Sequence, residues 1–309
     1  MFLDLVSSRA HGIRLYGLTP PKRGSGPAKL AEIAARQAER IAGMAPDALI
    51  LYDLQEEPGR TGAPRPFPFL PTQEPSEYAR NHLASLPIPR VLYKCVADLD
   101  REGLKAWMRD FRADRDACVL VGAPTSGHAP ALPLAEAYAM LSQGKDAIVT
   151  GGVAIAERHA RKGDEDARLS AKQAAGCRFF VTQTIFSADA TKSLISDYAM
   201  RFARDGIPCP PLILSFSPCG SLKTMEFMKW LGIAFPRWLE NDLRTSPDIL
   251  AKSVELARRN LADILDFASG KDVPLGINVE SVSIRKEEID ASCEMFRQLS
   301  AEIGRPARA

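Results

Sequence analysis

Glu165, Arg168 and Lys172 combine residue types and spacing that could bind an anion. Steps of three and four residues put all three on one helix face. Two cations one turn apart repel unless something negative neutralises them. This face therefore either holds a phosphate or carboxylate, or is neutralised by Glu165. The plainer alternative is a solvated face laced with ion pairs, which contributes little. Downstream, Thr182-Gln183 ends the β-rich run Phe179-Phe180-Val181. A glutamine amide sets a donor beside an acceptor, which suits the paired edge of a pterin or flavin ring. His159, beyond the Gly151-Gly152 pair, is a further candidate to contact a cofactor, although a lone loop histidine is more often simply solvated. Two acidic groups complete the set. Asp53, Glu56 and Glu57 cluster beside Arg60, and Glu280 follows Asn278 by two positions near the end of an apolar run. Asp53 and Glu280 are the candidates for proton transfer, since a carboxyl in an apolar mouth can have a raised pKa. Asp53-x-x-Glu56 also resembles half of a hard-oxygen cation site, but no second cluster accompanies it and no metal is expected.

These residues need elements to carry them. The apolar run 147–149 reads as a buried parallel strand, followed by the double glycine and a polar segment. A helix is expected over about 164–175, ended by Gly176, and then a strand over 179–183. The same alternation runs along the chain. Strands are expected at 13–18, 48–54, 90–96, 117–122, 211–217 and 273–279, with helices at 27–44, 101–111, 134–143, 189–205, 223–231, 247–269 and 286–303. Eight strands alternating with helices over one domain length predict a single (β/α)8 barrel across 1–309, with its chemistry at the strands' C-terminal ends. The proline-rich stretch 57–75 reads as a long loop after the second strand.

The pattern K-x-x-A-G-x-x-F-x-x-T-Q-x-x-F over 172–186 resembles that of the methylenetetrahydrofolate reductases. Pro20-Pro21-Lys22, the run from Pro210-Pro211 to Pro218, and the stretch 231–239 are similar to further signatures of that family. The resemblance implies a reduced folate substrate, NAD(P)H as hydride donor and FAD across the barrel mouth. It places Lys172 against flavin phosphates, Arg168 at a polar contact to the cofactor and Gln183 against the pterin; Glu165 and His159 are further candidates for the cofactor, and Thr182 and Asn278 for the substrate. The departures are specific. Gly17 stands where the family carries a glutamate that helps open the folate ring. Val121-Gly122-Ala123, Gly151-Gly152-Val153 and Gly276-Ile277-Asn278 replace a flavin-tuning aspartate and two aromatic regions. Most departures fall on the flavin side, so the flavin is either held differently or dispensed with. In a closed barrel the eighth strand lies beside the first, so Glu280 is expected to fill the space that Gly17 leaves. A salt bridge from Glu280 to Arg14 or Arg285 is the competing expectation.

The 309 residues are 46% hydrophobic and 25% charged, with a formal net charge of +2. That balance argues against a nucleic-acid partner. No apolar run approaches the ~20 residues of a membrane span. Six scattered cysteines without a C-x-x-C pair, and no signal peptide at the start, predict a reducing cytoplasm. A homo-oligomer is compatible with the sequence. The reading is a methylenetetrahydrofolate reductase-like oxidoreductase in one-carbon metabolism. Its rivals are a folate- or flavin-binding barrel without hydride chemistry, or a barrel lyase or methyltransferase.

Overall fold

Short β-rich runs separated by amphipathic segments satisfy their backbones by pairing side by side, and here they close into a ring. The computed structural model describes residues 1–56, 64–122, 130–143 and 147–304. The strands are β1 (Ile13–Leu18), β2 (Ala48–Leu51), β3 (Arg90–Cys95), β4 (Ala117–Val121), β5 (Thr150–Ala154), β6 (Cys177–Thr182), β7 (Leu212–Phe216) and β8 (Leu275–Glu280). All pair in parallel with their sequence neighbours, and β8 returns to β1 with Gly17 opposite Glu280. The helices are α1 (Phe2–Ser7), α2 (Pro27–Met44), α3 (Pro75–His82), α4 (Arg101–Arg109), α5 (Leu134–Ser142), α6 (Ala156–Lys162), α7 (Glu165–Ala174), α8 (Ala188–Arg204), α9 (Leu222–Trp230), α10 (Arg237–Thr245), α11 (Ile249–Ala268) and α12 (Lys286–Ile303). This is the expected (β/α)8 barrel.

Alternation along each strand sorts the core into two layers. Ile13, Leu15, Ile50, Val91, Tyr93, Val119, Val181 and Ile213 fill the barrel interior. Phe2 and Val6 of α1 pack with them, and Phe2 meets Phe179 edge to face at 5.6 Å. Leu49, Leu92, Leu120, Phe180, Leu214 and Ile277 face outward and pack under the helices.

β5 departs from expectation. It is built from the glycine pair itself and not from 147–149. A Cβ on Gly151 would stand 2.5 Å from the Phe179 ring, and one on Gly152 would stand 3.2 Å from the Phe180 ring. The aromatic rings of β6 thus take the room that β5 side chains would fill. The carbonyl of Val149 still accepts from the Cys118 N–H at 3.0 Å, so the apolar run leads into the strand. The polar segment after it is not a loop but α6, closed by Gly163 with φ of 66°. The helix α10 and the plug α1 were also not expected. β2 stops at Leu51 and not at 54; beyond it the Tyr52 N–H still bonds the Leu18 carbonyl at 3.1 Å, and the Asp53 side chain takes the Cys95 N–H at 2.9 Å.

Candidate active site at the barrel mouth

The inward face of β8 is identified by its smallest residue. A Cβ on Gly276 would lie 2.5 Å from Ile213 Cδ1, a side chain of the barrel interior. Two-residue alternation then turns Asn278 and Glu280 inward as well. The register brings Glu280 beside Gly17, where a Cβ would stand 2.9 Å from both Glu280 Cβ and Tyr52 Cε2. Glu280 and Tyr52 thus occupy the room that a side chain at Gly17 would need. The competing salt bridge does not form: Arg14 pairs with Asp47 at 3.5 Å, and Arg285 approaches Glu288 at 3.8 Å.

The Glu280 carboxylate accepts from Thr184 Oγ1 at 2.9 Å, and Tyr52 lies beside it over Gly17. Burial raises its pKa, and the Tyr52 and Thr184 hydroxyls oppose the shift only in part. Tyr52 is pushed well above the usual phenol range, first by burial and then by the Glu280 charge. Asn278, 0% exposed, donates through Nδ2 to Tyr52 Oη at 3.0 Å and to Ser215 Oγ at 3.2 Å. Its Oδ1 is buried without a hydrogen-bond partner. Tyr93 packs on Tyr52 with ring centroids 4.8 Å apart. An uncompensated buried acceptor costs free energy, so Asn278 Oδ1 is an atom that a ligand donor would satisfy.

Asp53 and Gln183 also stand at this end of the barrel. Asp53 accepts from the Cys95 N–H at 2.9 Å and from Gln55 Nε2 at 2.7 Å, and burial raises its carboxyl. Gln183 donates through Nε2 to the Leu231 carbonyl at 3.1 Å, tying the end of β6 to the segment after α9. Thr182 does not enter the mouth. It lies on the outward face with Phe180, and its Oγ1 accepts from the Ser215 N–H at 2.8 Å. Tyr52, Tyr93, Thr184 and Ser215 were not singled out from sequence. Alternation from Ile50 and Val91 would have turned Tyr52 and Tyr93 inward, but no local signal marks Thr184 as a partner of Glu280. Glu57, Arg60 and Ala123 lie outside the described residues.

The expected cofactor set gathers elsewhere, between the barrel wall and the helices. Lys172 runs over Gly152 and donates to the Val153 carbonyl at 2.5 Å, and burial lowers its pKa. Arg168 is exposed and bound to Asp164 at 3.1 Å. Glu165, 0% exposed, pairs with Arg158 and takes the Ile155 N–H at 3.1 Å; its charge also favours the Lys172 ammonium, but it does not contact Arg168, which pairs with Asp164. His159, 4% exposed, contacts Asp197 at 3.0 Å and stitches α6 to α8. Glu165, Arg168 and Lys172 share a face of α7, but Glu165 in its first turn meets Arg158 of α6, Lys172 in its last turn reaches the Val153 carbonyl of β5, and Arg168 between them turns back to Asp164 at the surface. These residues do not fit a cradle for FAD phosphates. Two open clefts, of ≈ 300 Å³ beside Arg9 and His11 and ≈ 500 Å³ beside Met1 and Pro46, lie at the opposite end, where the chain enters the strands. Among the described residues no cluster of metal-ligating side chains is present, and no helix is long and apolar enough to cross a membrane. The six cysteines are free, five of them buried.

Fold and mouth together define a closed (β/α)8 barrel with a buried polar cluster at the strands' C-terminal ends. No family model matches the chain, and no curated protein matches it. Among solved structures, an uncharacterized protein from Clostridium thermocellum that binds two copies of 5-methyl-5,6,7,8-tetrahydrofolic acid is similar at 37% identity and a TM-score of 0.86. The match covers 98% of this chain and 100% of that one. This chain belongs to the same family as that protein. Dihydropteroate synthase from Anaplasma phagocytophilum, with bound 6-hydroxymethylpterin-monophosphate, gives a TM-score of 0.46 at 9% identity over 94% of this chain and 99% of that one. At that distance the likeness says nothing about this site.

Proposed function

We propose that this protein binds a reduced folate of the 5-methyltetrahydrofolate class in the barrel mouth. The observation that carries the proposal is the full-length relative that binds this compound. The mouth chemistry supports it. The pyrimidinone edge of a pterin presents N–H donors, and Asn278 Oδ1 is a buried acceptor without a partner. The reaction we propose is the NAD(P)H-dependent reduction of 5,10-methylenetetrahydrofolate to 5-methyltetrahydrofolate. The bond from the methylene carbon to N10 breaks, its electron pair takes a proton, and an iminium is left at N5. Hydride from the nicotinamide then supplies two electrons to that carbon. Glu280 is the group for the proton, because burial favours its neutral, donating form. Asp53, already engaged by Cys95 and Gln55, steadies the rim. No step is assigned to FAD, since Lys172 and Arg168 do not converge on the mouth.

The poor fit for FAD also favours a second reading, a folate-binding barrel without hydride chemistry. Titration calorimetry with 5-methyltetrahydrofolate, beside an assay of NAD(P)H oxidation with the methylene form, separates the two. The reductase reading expects both binding and turnover, with Glu280→Gln lowering turnover by about 10²–10⁴ at little cost in affinity. Turnover of the variant within about threefold of wild type would reject Glu280 as the acid. Tight binding with no oxidation selects the second reading, and no binding removes both.

A further inference from the structure

Tyr52 is not used by the mechanism above, yet it touches both groups that the mechanism needs. Its hydroxyl has one proton to give. Asn278 Nδ2 can only donate, so at 3.0 Å the Tyr52 oxygen is the acceptor there. The phenol proton is then free for its other neighbour, the Glu280 carboxylate. Asn278 thus donates to Tyr52, whose side chain meets Glu280 over Gly17, and Thr184 Oγ1 donates to the Glu280 carboxylate. The second hydrogen of the Asn278 amide goes to Ser215 Oγ, which leaves Oδ1 as the amide's unpaired atom. The ring is held in turn by Tyr93. Gly17 leaves room for it, since a Cβ there would meet both Tyr52 Cε2 and Tyr52 Oη within 3.0 Å.

We infer that Tyr52 is a positioning residue whose hydroxyl anchors the Asn278 amide toward the ligand and whose place over Gly17 sets the surroundings of the Glu280 carboxylate. The groups facing Glu280 are the Tyr52 and Tyr93 phenols and the uncharged Thr184 and Asn278, and no charged side chain contributes to its shift. With no charge beside it, the Tyr52 and Thr184 hydroxyls are what offset its desolvation. The inference rests on the folate reading for the meaning of Asn278, but its first test does not.

The variant is Tyr52→Phe, which keeps the ring and its packing on Tyr93. The first readout is the carboxyl stretch of Glu280 in infrared difference spectra of the ligand-free protein, assigned by its loss in Glu280→Gln. Removing a hydroxyl beside the carboxylate favours the protonated form, so the titration midpoint should rise by about one pH unit. Thr184→Val removes the Thr184 donor and should move it the same way, which keeps the test alive if Tyr52→Phe misfolds. The second readout is affinity for 5-methyltetrahydrofolate, expected to fall about tenfold in Tyr52→Phe as the Asn278 amide loses its anchor. A midpoint within about 0.3 unit of wild type in a folded Tyr52→Phe protein would overturn the inference whether or not folate binds. A raised midpoint with no folate binding by the wild type would instead sink the functional reading and leave the role of Tyr52 toward Glu280 intact.

Discussion

Gly17 shows how one missing side chain sets the chemistry of a mouth. Its position on β1 is opposite Glu280 on β8, and a methyl group there would stand 2.9 Å from two side chains at once. Real Cβ contacts do not come so close, so either Glu280 or Tyr52 must move. Both belong to the hydrogen-bonded set that orients Asn278 and Thr184. Gly17→Ala should therefore cost about 1–3 kcal/mol of stability through overpacking. It should also weaken 5-methyltetrahydrofolate binding by about tenfold, the effect of a partly broken hydrogen bond. Urea unfolding and calorimetry on the same preparation check the pair. Stability lost with affinity intact would show that the mouth relaxes around the methyl group and that close contact at Gly17 is not needed for the ligand.

At the scale of elements, α6, α7 and α8 form a charged layer beside the barrel, not a cofactor site. Arg158 on α6 meets Glu165 on α7, Asp166 on α7 meets Arg201 on α8, and His159 on α6 meets Asp197 on α8. Buried ion pairs of this kind hold helices in register more than they stabilise them. Glu157, also on α6, is 7% exposed, and burial pushes its carboxyl up to about 7. Its unfolded-state value is the ordinary one of 4.5. Between those values the folded protein keeps a proton that the unfolded chain has released. Stability therefore falls as pH rises through this window, and the penalty is complete above about 7. Glu157→Gln removes the titration. Melting temperatures of the variant and the wild type should converge near pH 4 and separate toward pH 8, with the variant ahead by up to about 3 kcal/mol. Parallel melting curves across that range would mean that the Glu157 carboxyl is solvated when folded.

For the whole molecule, closure is what makes the site. The seam between β8 and β1 brings the two ends of the chain's barrel together, and Tyr52 on the far side of β1 and Thr184 after β6 complete the polar cluster. A ligand seated there binds only the closed barrel and not the unfolded chain. At 100 times its dissociation constant, 5-methyltetrahydrofolate should add about 2.7 kcal/mol. For a chain of this size that is a rise in melting temperature of roughly 5 °C. Asn278→Leu, which removes the buried acceptor, should lose most of the shift in a thermal-shift assay. An equal shift in that variant would place the folate away from the mouth.

The bounds of β1, α2 and α12, and the meeting of Gly17 with Glu280, were legible in the sequence. Periodicity is local, and a closed ring of parallel strands leaves the eighth beside the first, with both C-terminal ends on one side. The inward direction of Glu280 is decided by the packing of Gly276 against Ile213, since alternation along a strand does not say which face is inside. The location of β5 was not legible, because glycines make poor strands until the Phe179 and Phe180 rings fill the space above them. Lys172 was misplaced for a related reason. Residue spacing tells which residues share a helix face, but not that Lys172 reaches the Val153 carbonyl while Arg168 stays in water. Which side chains meet across the barrel, as Thr184 meets Glu280, depends on strand stagger and close packing among residues distant in sequence. Those contacts exist only once the ring has closed.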